Sequence, residues 1–352
     1  MSVEINWGKI AKILIIKFGG IGDVLLSTPV ILNIRAFLPK TKLFFLTESK
    51  CRDVVRENPH LDGYFTFDLG IRRKPPLYRE IKKHKFDLII DLYCNPRSAF
   101  VVWYSRAPYR VGFSFRFRKY AYTHIINRRS SEVHNLDFNL DALKHIGVPI
   151  LSRQPEIYLN FVHTEFADRF ISDNNLAEKN LLGILISGGW ETKKFKLEEY
   201  KKLIKRILEL YKVKIIIFQG NQTEENEAQQ LKSEFESDCY ISPTANLKYT
   251  SALMRKCKAI IGNDSGLLHL AVASQVPVLG IYGPTDPRLQ GPFGEKNLYV
   301  ENDSLDCLHC NLQVCHIGNI CMTQIDINHI ISKFKELLKI NNIYLEQKNP
   351  HS

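Results

Sequence analysis

The chain has 352 residues, 45% of them hydrophobic and 24% charged, with eight cysteines and a formal net charge of +11. That length suits two α/β domains of about 100–200 residues each, and the composition excludes a disordered or fibrous chain. The most apolar window, Ile13 to Leu32, is interrupted by Lys17 and Asp23, so it falls short of the roughly 20 apolar residues that span a bilayer; the N-terminus also lacks a signal-peptide layout, and a cytoplasmic protein is expected.

Apolar runs alternate with amphipathic segments throughout, the pattern of βα units and parallel sheets. In chain order, strands are predicted at Lys12–Lys17, Lys42–Thr47, Gly63–Phe67, Phe86–Leu92 and Arg110–Gly112, with helices over Asp23–Leu38 and Leu77–His84. The segment Val148–Asn160, with two prolines and no helical period, reads as a linker. A second series follows, with strands at Leu181–Ser187, Val213–Gln219, Ala259–Gly262 and Val278–Tyr282. Its helices are predicted at Leu197–Tyr211, Glu224–Phe235 and Ser265–Ala273, and Ile325–Leu345 closes the chain as a charged amphipathic helix. The whole is α/β, two Rossmann-like halves in series.

The charge is unevenly placed. Residues 1–150 hold 25 Lys and Arg against 13 Asp and Glu, a balance of +12, and the remainder holds 23 against 24, a balance of −1. Basic blocks at Arg72–Lys74, Lys82–Lys85, Arg116–Lys119 and Arg128-Arg129 draw polyanions such as nucleic acid, anionic headgroups or phosphorylated sugars.

Three segments carry chemistry. The first runs from the strand at Ile13 through Gly19, Gly20, Gly22 and Asp23 to Thr28-Pro29. Glycines there let the backbone turn tightly beside a helix start. The spacing G-G-x-G-D is not the dinucleotide G-x-G-x-x-G, and Asp23 would repel a pyrophosphate; a carboxylate at that point also serves simply as a helix cap. The second is Ser187-Gly188-Gly189-Trp190-Glu191-Thr192-Lys193-Lys194-Phe195, a loop whose hydroxyls and N–H groups can cradle phosphate beside a neutralising lysine. In the third, Asn263-Asp264-Ser265-Gly266 ends a strand and opens a helix, His269 follows about one turn later, and Gly283-Pro284-Thr285-Asp286 follows the next strand. Backbone donors, a hydroxyl and an imidazole converge there on a positive helix end.

These segments, with FDLIIDL and Arg97, the Arg110-Val111-Gly112 step and the late cysteines, resemble the ADP-heptose:lipopolysaccharide heptosyltransferases of glycosyltransferase family 9. The resemblance implies a GT-B fold, two Rossmann-like domains with parallel sheets facing a central cleft. Residues 1–155 would bind the acceptor, 156–325 the nucleotide sugar, and a terminal helix over 326–352 would pack back on the first domain. It further implies an inverting, metal-independent transfer in which Asp23 is the general base and Lys193 stabilises the leaving diphosphate. Asp264, Ser265, Gly266 and His269 would hold the donor, with Ser187 and Thr192 contacting its phosphates, and Gly20, Arg97 and Arg110 would meet the acceptor. An acidic donor contact expected after Phe218-Gln219-Gly220 falls on either Gln222 or Glu224. Trp190-Glu191 and Lys196 depart from the family's commoner prolines. No cofactor is implied for catalysis, the partners being ADP-heptose or another nucleotide sugar and an anionic lipopolysaccharide core at the cytoplasmic face of the inner membrane.

Cys307, Cys310, Cys315 and Cys321 are spaced compatibly with a tetrahedral structural zinc or iron site, with a reduced cluster or a disulfide as alternatives. Two readings from other classes stay open on the sequence. One is an NAD-dependent oxidoreductase, from the paired Rossmann-like halves, and the other a nucleic-acid-binding protein, from the charge, although no recognition module is present.

Overall fold

The computed structural model describes residues 4–67, 75–129 and 132–348. It comprises two compact units, Met1–Tyr158 and Leu159–Ser352. The first is built on β1 (Lys12–Ile16), β2 (Lys42–Thr47), β3 (Gly63–Thr66), β4 (Leu88–Asp91), β5 (Tyr109–Phe113) and β6 (His124–Ile126), in the order β3-β2-β1-β4-β5-β6. The second has β7 (Leu181–Leu185), β8 (Lys214–Phe218), β9 (Cys239–Ile241), β10 (Ala259–Asn263), β11 (Val278–Ile281) and β12 (Leu298–Val300), in the order β12-β11-β10-β7-β8-β9. All the pairings within both sheets are parallel.

Helices flank the strands of both sheets. In the first unit these are α1 (Ile21–Leu25), α2 (Thr28–Phe37), α3 (Arg52–Val55), α4 (Pro75–His84), α5 (Pro96–Ser105) and α6 (Asn135–His145). In the second they are α7 (Phe161–Asp173), α8 (Leu197–Leu210), α9 (Gln222–Phe235), α10 (Leu247–Met254), α11 (Gly266–Ala273), α12 (Pro287–Gln290), α13 (Ile320–Thr323) and α14 (Ile327–Ile340). Central strands covered on both faces must be apolar along their length. Accordingly β7 and β10 are buried at every residue and β1 at all but its first.

The helix expected over Asp23–Leu38 is two helices. Ser27 and Thr28 donate their hydroxyls to the carbonyls of Val24 and Leu25, both at 2.7 Å, and Pro29 opens α2 with no N–H to offer. The apolar stripe of the terminal helix is spent within the second unit, where Ile330, Ile331, Phe334, Leu337 and Leu338 of α14 are buried in the core. Among the described residues no helix is long and apolar enough to cross a membrane.

Candidate functional site

In the first unit β1 runs into a turn that only glycine accommodates at Gly19, where φ is +115°. A Cβ there would also stand 2.7 Å from Asp23 Oδ2. Gly20 caps α1, and its N–H donates to Asp23 Oδ2 at 2.8 Å. Asp23 is half-buried, so one carboxylate oxygen is fixed by the turn while the group keeps access to solvent. Beneath the turn lies Lys17, whose Nζ donates to Asn139 Oδ1 at 2.9 Å and to the Leu92 carbonyl at 3.4 Å. Burial lowers its pKa, opposed by the negative charge of Asp23.

The two arginines expected at the acceptor differ. Arg97 is exposed in the first turn of α5, where its backbone N–H is held by the Asn95 cap. Arg110 is half-buried, and its guanidinium donates to the carbonyls of Ala121 at 2.8 Å and Ala107 at 2.6 Å. Two of its donors thus tie β5 to neighbouring loops.

In the second unit the loop after β7 folds into a tight turn over Glu191–Lys193. Lys193 is buried, with its Nζ 2.6 Å from Asp264 Oδ2 and 4.3 Å from the centre of the Trp190 ring. The same Asp264 oxygen accepts the Thr285 hydroxyl at 2.6 Å. Ser265 caps α11 by accepting the Leu268 N–H, placing Gly266 at the helix start and buried His269 in its first turn. A lysine, its counter-carboxylate and a helix N-terminus therefore converge, and a helix start offers N–H groups to an anion. Trp190 Nε1 and Asn263 Nδ2 are buried there without a hydrogen-bond partner, whereas Asn263 Oδ1 accepts the Phe195 N–H and ties the lysine loop to β10.

Residue Glu224 was one of two sequence candidates. It is buried, accepting the Gly220 N–H at 2.7 Å and the Gly188 N–H at 3.4 Å, whereas Gln222 is exposed. It thereby joins the two glycine loops, and Ser187, half-buried on the first of them, lies beside the Gly220 turn. Thr192 faces another way, donating its hydroxyl to the Leu312 carbonyl at 2.7 Å. Thr285, Glu224, Trp190 and Lys17 are the residues to which sequence reasoning gave no firm role.

Residues Cys307, Cys310, Cys315 and Cys321 are free thiols lining one cavity of about 180 Å³, shared with Thr192, Leu312, His316 and Ile320. Among the described residues no group of three or more His, Cys, Asp or Glu is arranged to hold a metal ion. Cys307 and Cys310 are exposed, Cys321 is buried, and the Cys315 sulfur accepts the Asn319 N–H. The loop docks on the donor side through backbone, with the N–H groups of His309 and Asn311 bonded to the carbonyls of Gly283 and Pro284.

Residues 76–321 match the family model described as glycosyltransferase family 9 (heptosyltransferase). The chain belongs to glycosyltransferase family 9. Among curated relatives it is 23% identical to the lipopolysaccharide core heptosyltransferase OpsX of Haemophilus influenzae, over 92% of this chain and 96% of that protein. Its fold is similar to the family 9 glycosyltransferase of Veillonella parvula, with a TM-score of 0.82 at 22% identity, covering 97% of this chain and 99% of that one. It is also similar to the Escherichia coli ADP-heptose lps heptosyltransferase II, with a TM-score of 0.74 at 18% identity over 94% and 99%. The two six-stranded parallel sheets are those of a GT-B glycosyltransferase. Membership of the family sets aside the oxidoreductase and nucleic-acid-binding readings.

Proposed function

We propose that this family 9 member transfers a heptose from ADP-heptose to the inner core of lipopolysaccharide, with inversion at the anomeric carbon. The acceptor hydroxyl attacks that carbon while its bond to the diphosphate oxygen breaks, and the hydroxyl proton passes to the Asp23 carboxylate. Charge builds on the leaving diphosphate, where Lys193 and the first turn of α11 offset it. No divalent ion is needed in this scheme, because Lys193 and the helix end supply the positive charge.

The observation that carries the reading is Lys193 held at 2.6 Å from Asp264 beside the start of α11. A buried cation at a helix N-terminus is an anion-leaving-group site. The unpartnered Trp190 Nε1 and Asn263 Nδ2 support it, since a buried unsatisfied donor costs about 1–3 kcal/mol unless a ligand takes its hydrogen bond. Asp23 supports the base assignment by geometry, standing at a glycine turn with part of its carboxylate open to solvent. The names of the relatives support the sugar and the acceptor, OpsX being a lipopolysaccharide core heptosyltransferase and the E. coli enzyme an ADP-heptose lps heptosyltransferase. An anionic acceptor in a membrane suits the +12 balance of residues 1–150 and places the enzyme at the cytoplasmic face of the inner membrane.

The test is incubation of purified protein with ADP-heptose and a panel of truncated lipopolysaccharides, with and without a chelator, read by mass. Addition of one heptose in both conditions is expected. Transfer only from a different nucleotide sugar, or only without chelator, would overturn the donor or the metal-independent reading.

A further inference from the structure

Helices α4 and α5 pack side by side and present aromatic rings at helical spacing. Tyr78 of α4 meets Phe100 and Tyr104 of α5, with ring centres 5.0 and 6.1 Å apart. Phe100 in turn lies 6.0 Å from Trp103 and 5.9 Å from Tyr104. The inward side of this pair is already apolar and buried, through Ile81, Ala99, Val101 and Val102. A helix on a water-facing surface carries polar residues on its outer face, yet Phe100 is 42% and Trp103 47% exposed.

Cations frame these rings. Lys82 Nζ lies 5.1 Å from the centre of Tyr104, and the Arg106 guanidinium 5.0 Å from that of Trp103. Arg79, Lys83 and Lys85 are exposed nearby in sequence. Of the three acids in residues 75–106, Asp87 is spent on the backbone N–H groups of Ala11 and Lys12, and Asp91 on those of Tyr93 and Cys94. Glu80 is the remaining one. Beside α5, Arg118 and Arg128 lie 4.8 and 4.1 Å from the Phe115 ring, and Tyr120 is 74% exposed. The basic block Arg72–Lys74 lies outside the described residues, as do the side chains of Arg116 and Lys119.

We propose that the α4–α5 face, with Phe100, Trp103 and Tyr104 framed by Lys82, Lys83 and Arg106, is a docking surface for an anionic lipid bilayer. Amphipathic rings settle at the headgroup level, basic side chains reach the phosphates, and together they hold a protein peripherally. Charge complementarity selects this occupant over a second copy of the chain, which would oppose two basic faces. Arg97 starts the same helix, so docking would present it at the height of an acceptor's headgroup. That consequence rests on the lipid-borne acceptor proposed above, whereas the surface itself does not.

The experiment is sedimentation with vesicles of phosphatidylethanolamine and phosphatidylglycerol, compared with phosphatidylcholine alone, at low and high salt and without donor or acceptor. Trp103, one of three tryptophans, reports insertion. Expected are binding to the anionic vesicles that weakens with salt, a blue-shifted emission quenched by brominated lipid, and loss of that signal in Trp103→Phe. Lys82→Gln with Lys83→Gln should weaken binding about 25-fold, taking roughly fivefold per neutralised charge. Equal binding to both vesicle types, binding indifferent to salt and to these substitutions, or self-association through this face in place of lipid binding would overturn the proposal. Circular dichroism and transfer to a soluble acceptor fragment control for folding. Vesicle binding without transfer to any acceptor would sink the proposed function and leave the surface standing, and transfer without vesicle binding would do the reverse.

Discussion

Each unit places an aspartate where a central parallel strand gives way through a small-residue turn to a helix, Asp264 directly after β10 and Asp23 in the first turn of α1, and their surroundings differ. Asp23 is half-buried and shares one oxygen with the Gly20 N–H. Asp264 is buried and pinned by Lys193 and Thr285, both at 2.6 Å. The same local device therefore yields two kinds of group. Near solvent and only half-buried, the carboxylate keeps lone pairs with which to take a proton. Buried against an ammonium, it becomes a fixed counter-charge that orients a lysine. The strand-turn-helix motif supplies the position, and burial and partners decide the chemistry.

The largest effect should come from removing the proton acceptor while keeping the turn. Asp23→Asn retains an oxygen for the Gly20 N–H, so donor affinity by calorimetry should stay near wild type while kcat falls about 10²–10⁴-fold. Near-normal turnover would erase the distinction between the two aspartates. In the second unit the effect should appear in stability as well. Lys193→Ala strands a buried carboxylate, which typically costs about 3–5 kcal/mol and should show in denaturant unfolding of the whole chain alongside reduced turnover. Adding Asp264→Ala to that variant should recover part of the loss, because both charges are then gone. Simple additivity would mean that the pair is not coupled. Thr285→Val keeps the shape and removes one hydroxyl, so a smaller loss of about 1 kcal/mol is expected, with donor affinity lowered severalfold.

What the sequence made legible follows the same division between local pattern and partners. The central strands were readable because burial on both faces makes them continuous apolar runs, β2 matching at both ends. The edge strands β6, β9 and β12 were not, since each has three residues and a mixed burial pattern. Asp23, Lys193 and Asp264 stood out because glycines or small residues flank them in sequence. Thr285 and Glu224 act across 21 and 36 residues, and nothing local announces such a pairing. The same holds for Arg110, two of whose guanidinium donors meet the Ala107 and Ala121 carbonyls that the fold brings to it.

The smallest functional effect is expected at the cysteine loop, where the donor-side attachments are made by backbone and by Thr192 and not by sulfur. The thiolate is the form that reacts with an alkylating agent, so reactivity follows exposure and pKa together. Burial, followed by the charges of the three neighbouring cysteines, pushes the Cys321 thiol up to about 11, leaving about 10⁻³ of it ionised at pH 8. Cys51 and Cys239 are buried and pushed up to about 12. Iodoacetamide at pH 8 should therefore label Cys307 and Cys310 first and spare Cys51, Cys239 and Cys321, as peptide mapping would show. Because His309 and Asn311 hold Gly283 and Pro284 through their N–H groups, and Thr192 holds the Leu312 carbonyl, labelling the two exposed thiols should change donor affinity by less than about threefold, under 1 kcal/mol. Protection of all four loop cysteines, with release of one equivalent of zinc or iron when they are finally modified, would show instead that the loop closes into a metal site. The comparison would then change, for the lysine loop would be braced by a thiolate-bound ion as well as by Asp264.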